Sequence, residues 1–155
     1  MYRIFADRGI IIRHNGGAES DIVRIVAYVR GRGKVRVLVV ERSPFLRLVL
    51  REVLARANYE MIGECDELGE AADLAGNLGP DVVLCDLDGS REEWPATIHA
   101  LRHRAPSARL IALGSTGNCP VEGGDFEAFL RKPCTPEAVL AAISRRRLPD
   151  DVLPA

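Results

Sequence analysis

The stretch Asp81-Val82-Val83-Leu84-Cys85-Asp86 follows a Gly79-Pro80 pair and places four apolar residues between two acids. A short apolar run without polar alternation is typical of a strand that is buried on both faces, as in a parallel sheet. We therefore predict a strand that ends at Asp86. Ligands of open α/β sheets bind at the carboxyl ends of the strands, so the Asp86 carboxylate is a candidate functional group. The alternative is an acid that only caps the following turn.

Strand-like and helix-like segments alternate on both sides of this run, a pattern typical of βαβ units. Ser43 and Thr135 are expected N-caps, because each precedes a proline that suits the first turn of a helix. The predicted strands are 36–40, 59–65, 81–86, 109–113 and 126–130, and the predicted helices begin at Pro44, Glu67, Pro95 and Pro136.

The segment between the fourth and fifth predicted strands breaks this alternation. Residues 114–124 contain four glycines and one proline and show no helical period. Glycine is costly inside a helix, so we predict a loop or a single turn here. The fourth helix of the pattern is accordingly expected to be short or absent.

Size and composition limit the class of protein. A chain of 155 residues with 47% hydrophobic residues forms one globular domain, and a net charge of −1 gives no overall attraction to nucleic acid or membranes. The sequence contains neither a long apolar span nor a signal-peptide pattern, so we expect a cytoplasmic location and no membrane partner. The cysteines lack CxxC spacing and are expected to be reduced: Cys65, Cys85, Cys119 and Cys134.

The domain is expected to span residues 35–147, between an N-terminal extension or linker at 1–34 and a tail at 148–155. Within the extension, 20–30 has the spacing of a short amphipathic helix, and 10–12 is compatible with a short strand. About nine residues after 146 are too few for a helix-turn-helix, so no DNA-binding domain is expected.

Polar side chains follow three of the predicted strands. Five strands in this order fit a doubly wound parallel sheet of order 2-1-3-4-5, in which strands one, three and five surround the switch point. Glu41 with Arg42, then Asp86, then Lys132 stand at the carboxyl ends of those strands. We therefore expect these groups to converge on one crevice.

Over about residues 35–146 the chain resembles the flavodoxin-like receiver domain of bacterial two-component response regulators. The matching pieces are VLVVERSP, PDVVLCDL, IALGS and FLRKPCTPE. In receivers a lysine and a proline follow the fifth strand, with an aromatic switch residue three places before the lysine. Lys132, Pro133 and Phe129 satisfy that spacing.

The resemblance implies roles for these residues. Asp86 matches the phosphoacceptor, Lys132 the lysine that contacts the phosphoryl group, and Phe129 the switch, with a cis peptide before Pro133. It also implies Mg²⁺ held by Glu41, Asp86 and the region of Asp88. The implied partners are a sensor histidine kinase or phosphotransfer protein and a downstream protein effector, with a homodimer as a further possibility. No catalysis is implied beyond phosphorylation and dephosphorylation of Asp86.

Two departures from the receiver pattern bear on the chemistry. Receivers carry two adjacent acids after the first strand, whereas this chain has Glu41 and Arg42. We expect Arg42 to pair with Asp86 and to weaken Mg²⁺ binding. Gly114 stands where the family has a hydroxyl residue, which leaves Ser115 or Thr116 to reach the phosphoryl oxygens.

The sequence leaves three hypotheses for the function. The first is an atypical single-domain receiver in a phosphorelay, and the second is a pseudo-receiver that acts as a phosphorylation-independent interaction module. The third is a receiver-like protein that binds a nucleotide second messenger through arginines such as 145–147. A nucleotide enzyme of the same fold needs a glycine-rich phosphate loop after the first strand, which this chain lacks. His99 and His103 have no third metal ligand nearby in sequence.

Overall fold

The computed structural model describes residues 2–6, 9–13, 34–88, 93–115 and 126–145. This part of the chain forms one seven-stranded sheet of order β2-β1-β4-β3-β5-β6-β7 with four helices packed against it. The elements are β1 (Tyr2–Ala6), β2 (Gly9–Arg13), β3 (Arg36–Val40), α1 (Pro44–Arg56), β4 (Glu60–Cys65), α2 (Leu68–Leu78), β5 (Val82–Asp86), α3 (Trp94–Arg104), β6 (Arg109–Gly114), β7 (Ala128–Arg131) and α4 (Pro136–Ser144).

The five strands β4-β3-β5-β6-β7 are parallel and follow the predicted order 2-1-3-4-5. The prediction of a doubly wound α/β fold is therefore confirmed. β3 and β5 lie at the centre of the sheet, so their apolar residues are almost completely excluded from water.

Alternation along the central strands sends side chains to both faces of the sheet. Leu38 and Val83 pack on the face covered by α2 and α3, whereas Val37 and Val82 pack on the face covered by α1 and α4. Because successive strand residues point to opposite faces, a continuous apolar run builds two cores at once. The strand ends are then the first positions where the chain can place charge.

The helix ends follow the expected capping chemistry. Ser43 Oγ accepts a hydrogen bond from the N–H of Leu46 at 3.3 Å, and Thr135 Oγ1 accepts from Ala138 at 3.2 Å. α2 ends at Gly79, whose φ of 58° lies in the left-handed region that glycine adopts without strain. These caps fix where each helix begins or ends relative to its strand.

Two arginines anchor helix C-termini at the amino edge of the sheet. Arg36 donates to the carbonyl oxygens of Leu78 and Gly79, and Arg109 donates to those of Ala142 and Ile143. A guanidinium group satisfies the free carbonyls and interacts favourably with the negative end of the helix dipole. α2 and α4 are thereby held from the edge opposite the candidate site.

The structure differs from the prediction at the N-terminus and at the last strand. β1 and β2 form an antiparallel hairpin, and β1 pairs antiparallel with β4, so that the sheet is wider than the five strands expected. β2 includes the segment 10–12. The last strand begins at Ala128 rather than Phe126, because Phe126 and Glu127 precede the paired residues.

Several expectations fall outside the described residues: the helix at 20–30, Thr116 with most of the segment 114–124, Cys119 and the tail at 148–155. Within the described ranges no helix is both long and apolar enough to cross a membrane.

Deletion of residues 1–30 should promote self-association, because it removes the hairpin that pairs with β4 and leaves an unpaired strand edge. We expect a higher mass in light scattering, or lower solubility, for the truncated protein. An unchanged mass together with an unchanged melting temperature would show that the hairpin does not protect this edge.

Candidate functional site

Three carboxylates surround one ammonium group at the carboxyl edge of the sheet. Lys132 Nζ lies 2.8 Å from Asp86 Oδ1, 2.9 Å from Glu41 Oε2 and 3.5 Å from Asp88 Oδ2. The Glu41 and Asp86 side chains are only 2% and 5% exposed, whereas Lys132 is 19% exposed. The chain thus brings together residues that are 91 positions apart in sequence.

Each of these side chains is positioned by the carboxyl end of a parallel strand. Asp86 is the last residue of β5, Glu41 follows β3 directly, and Lys132 follows β7. Backbone donors hold the carboxylates in place: Ser43 N–H donates to Glu41 Oε1 at 2.9 Å, and Asp88 N–H donates to Asp86 Oδ1 at 2.9 Å. Both contacts span two residues, so the local turns themselves orient the acids.

The two oxygens of Asp86 have different surroundings. Lys132 and the N–H of Asp88 both contact Oδ1. In the described part of the chain Oδ2 accepts no hydrogen bond. Among the described residues, the contacts of this carboxylate are thus all made by Oδ1.

Burial acts to lower the pKa of Lys132, but hydrogen bonds to Asp86 and Glu41, together with their charges, outweigh burial and raise the pKa above the ordinary lysine value. Lys132 is therefore a permanent cation at neutral pH. Its charge offsets the cost of burying two carboxylates.

An arginine network from α1 supports the loop that carries Glu41. Arg47 donates to the carbonyl oxygens of Glu41 at 2.6 Å and Arg42 at 3.3 Å, and its Nε lies 3.7 Å from the buried Glu64. Arg51 also contacts Glu64, at 2.8 Å. The Glu64 carboxylate thus orients two arginines of α1, one of which fixes the backbone of the site.

Arg42 does not form the expected ion pair. Its side chain is exposed, and Asp86 pairs instead with Lys132, which reaches the acid from the neighbouring strand end. Arg42 lines an open pocket of about 550 Å³ above Asp86. The other residues that line this pocket are Glu41, Asp66, Glu67, Leu68, Gly69, Asp86, Asp88, Glu93 and Trp94.

Ser115 contacts Asp88 rather than Asp86. The Ser115 N–H donates to Asp88 Oδ1 at 2.7 Å, and its hydroxyl lies 3.2 Å from Asp88 Oδ2. Gly114 lies next to Asp88 and Phe129, since a Cβ at this position would be in van der Waals contact with Asp88 Oδ1 and with the Phe129 ring, each at 3.4 Å. Phe129 is half-buried beside this glycine, and the Lys132–Pro133 peptide is cis, as the resemblance implies.

The donor set suits Mg²⁺ in chemistry but not in arrangement. Carboxylate oxygens are the hard ligands that Mg²⁺ prefers. Here, however, they converge on the Lys132 ammonium group, and in the described ranges no three His, Cys, Asp or Glu side chains are placed to hold one metal ion. A Mg²⁺ ion at this edge would therefore compete with Lys132 for the same carboxylate oxygens.

The sequence matches a known protein family. The family model of the response regulator receiver domain matches residues 37–144, a range that runs from the second residue of β3 to the end of α4 and includes Asp86 and Lys132. The chain belongs to this family. Receiver domains typically bind Mg²⁺ at their acidic pocket.

Individual relatives cover most of the receiver. Chemotaxis protein CheY of Thermotoga maritima is 27% identical over 71% of this chain and 95% of its own length, and protein CcdB of Bacillus subtilis is 32% identical over the same shares. Among solved structures, chemotaxis protein CheY4 of Vibrio cholerae has a TM-score of 0.61 at 22% identity and covers 72% of this chain and 97% of its own. The last of these comparisons shows the shared fold only.

A response regulator of Burkholderia pseudomallei, solved with a phosphorylated aspartic acid, a calcium ion and citrate, has a TM-score of 0.60 at 25% identity. It covers 71% of this chain and 66% of its own.

Sequence reasoning missed Arg47, Glu64 and Trp94. Glu64 was detectable in principle, because a charged residue inside an otherwise apolar strand demands a partner. Trp94 lines the pocket and is 7% exposed, and its indole N–H has no hydrogen-bond partner among the described residues. Nothing in its local pattern distinguishes it from an ordinary core residue at the start of α3.

Two buried thiols close to the site are unreactive. Burial raises the pKa of Cys85 to about 12, and burial likewise raises the pKa of Cys65 far above its usual range. Since the thiolate is the reactive form, these cysteines act as small apolar core residues. The three cysteines that the structure describes are free thiols in it: Cys65, Cys85 and Cys134.

Replacement of Lys132 by Met should lower the free energy of unfolding at pH 7 by about 3 kcal/mol, because Glu41 and Asp86 lose their buried counter-charge. The stabilisation depends on a raised pKa, so it is present at neutral pH and is lost as the pH rises above the ordinary lysine value of 10.5. Denaturant unfolding from pH 7 to the alkaline range should show this loss in the wild type and not in Lys132→Met.

Lys34→Met is the matched control, since Lys34 is the only other lysine in the chain and is exposed. Equal destabilisation by both substitutions would contradict the role of Lys132.

Mg²⁺ affinity should rise about tenfold in Arg42→Asp, because a cation in the pocket is exchanged for a hard oxygen ligand. Trp94 is the only tryptophan and lines the same pocket, so its fluorescence reports the titration. Arg56→Asp, at the exposed far end of α1, makes the same change in charge outside the pocket. Equal Mg²⁺ affinities in the two variants would refute a direct effect of Arg42.

Proposed function

We propose that this receiver domain accepts a phosphoryl group on Asp86 and signals through protein–protein contacts in a two-component phosphorelay. The observation that carries the proposal is the Asp86 carboxylate, which ends a central strand, pairs with Lys132 through one oxygen and leaves the other oxygen free. A carboxylate so held is an oriented nucleophile.

In the proposed transfer, Asp86 Oδ2 attacks the phosphorus of the donor. A new O–P bond forms while the P–N bond of a phosphohistidine, or the P–O bond of an acyl phosphate, breaks. The leaving imidazole takes up a proton, whereas a leaving carboxylate departs as the anion. Lys132, already within 2.8 Å of Asp86, supplies positive charge beside the phosphoryl oxygens.

The Burkholderia pseudomallei relative with a phosphorylated aspartic acid supports this assignment by similarity. We assign the remaining roles on the same basis: Lys132 contacts the phosphoryl group, Phe129 is the switch and Ser115 is the nearby hydroxyl. The donor is a sensor histidine kinase or a phosphotransfer protein, and the output is a protein effector.

A pseudo-receiver is the second candidate, and two observations favour it. Arg42 replaces an acid in the pocket, and the Ser115 hydroxyl is engaged by Asp88. Both features oppose metal-assisted transfer. In this alternative the domain keeps the fold as an interaction module and needs no phosphorylation.

Incubation with acetyl phosphate or phosphoramidate, with and without Mg²⁺, tests the proposal directly. Intact mass should increase by one phosphoryl group in the wild type and in Asp81→Asn, and not in Asp86→Asn. Asp81 is the matched control because it is an exposed acid that directly precedes β5, at the end opposite Asp86. A wild type that takes up no phosphoryl group under any of these conditions would favour the pseudo-receiver.

A further inference from the structure

Asp88 is an acid with an unusual set of contacts. Its carboxylate accepts from the Ser115 N–H at 2.7 Å and from the Ser115 hydroxyl at 3.2 Å, and it lies 3.5 Å from Lys132 Nζ. Three donors of different types therefore converge on the two oxygens of one carboxylate. A phosphoryl group, with three anionic oxygens, requires donors of the same kind.

These donors lie at the same edge of the sheet as Asp86. In the parallel pairing of β5 and β6, Asp86 is opposite Leu113. Ser115 follows Leu113 by two residues, just as Asp88 follows Asp86, so Ser115 and Asp88 leave the sheet side by side. Lys132 bridges the acids by contacting Asp86 at 2.8 Å and Asp88 at 3.5 Å. A phosphoryl group on Asp86 would draw on the donors that Asp88 already occupies.

Gly114 lies next to both Asp88 and Phe129. A Cβ at position 114 would lie 3.4 Å from Asp88 Oδ1 and 3.4 Å from the Phe129 ring, which is van der Waals contact. The backbone before Ser115 is therefore packed directly against the Asp88 carboxylate.

We propose that Asp88 is an internal competitor of the phosphoryl group, because its carboxylate occupies Ser115 and Lys132 until a phosphoryl group at Asp86 displaces it. The proposal rests on the proposed function of Asp86. Asp88 is thus a positioning residue that sets how readily the site accepts a tetrahedral anion. Removal of the competitor should make anion binding tighter, whereas a merely structural turn residue would leave it unchanged or weaker.

Inorganic phosphate is the probe for this competition. The amide signal of Ser115 in ¹H–¹⁵N spectra is followed as phosphate is titrated into the wild type, Asp88→Ala, Asp88→Asn and Asp73→Asn. We expect Asp88→Ala to bind phosphate about tenfold more tightly, since a charge-assisted contact no longer has to be displaced. Asp88→Asn keeps the shape and the acceptor but loses the charge, so its affinity should be intermediate.

Asp73→Asn is the matched control, because Asp73 is an exposed acid on α2 that pairs with Arg104 and is absent from the pocket lining. Its phosphate affinity should equal that of the wild type. Equal phosphate affinity in the wild type and both Asp88 variants would refute the proposed competition, independently of the result of the acetyl phosphate reaction.

The acetyl phosphate reaction separates this proposal from the proposed function. Faster uptake of a phosphoryl group by Asp88→Ala and Asp88→Asn supports both. Tighter phosphate binding in these variants without any phosphoryl uptake supports the proposed competition by Asp88 and refutes Asp86 as the phosphoacceptor.

Discussion

The ammonium group of Lys132 lies between carboxylates that are largely excluded from water and would otherwise repel one another. Two unit charges about 4 Å apart interact by roughly 4 kcal/mol at an effective dielectric constant typical of protein surfaces, so two buried acids cannot share an edge without a cation. Lys132 supplies that cation from the end of β7, 91 residues beyond Glu41 in sequence. The pairing of β7 with β6 therefore delivers the counter-charge on which the buried carboxylates of the site depend.

Much of this arrangement follows from strand burial, which is why it could be predicted. The apolar runs at 37–40 and 82–85 are long enough to fill both cores and too short to extend beyond them, so Glu41 and Asp86 have to stand at the edge of the sheet. Ser43 and Thr135, each followed by proline, mark the helix starts by backbone chemistry alone. These local rules, together with the pairing order of parallel strands, bring the three strand ends together.

The partners of individual side chains could not be predicted in the same way. The position of Arg42 at the end of the first receiver strand predicted that it would pair with Asp86. In the structure Lys132 forms that ion pair, and the Arg42 side chain is exposed. Whether a long side chain turns inward depends on neighbours from other elements. Arg47, for instance, is held over the site loop by Glu64 of β4, a contact that no spacing along the chain reveals. The hairpin of β1 and β2 was missed for a similar reason, since its place is set by the free edge of β4.

The charged residues of the site differ from the receiver pattern at Arg42, and Asp88 supplies a further carboxylate. An acid is lost at Arg42 relative to the receiver pattern, yet the number of carboxylates around Lys132 is still three because Asp88 contributes one. The added acid does not restore what was lost, since it lies beside Ser115 on the side of β6. Under the proposed function, the Asp88 carboxylate therefore lies beside the donors that phosphoryl oxygens would need, whereas Arg42 lines the acidic pocket. An anion and a cation would then each meet a like charge on entering the site, which is why both variants, at Asp88 and at Arg42, are expected to bind more tightly than the wild type.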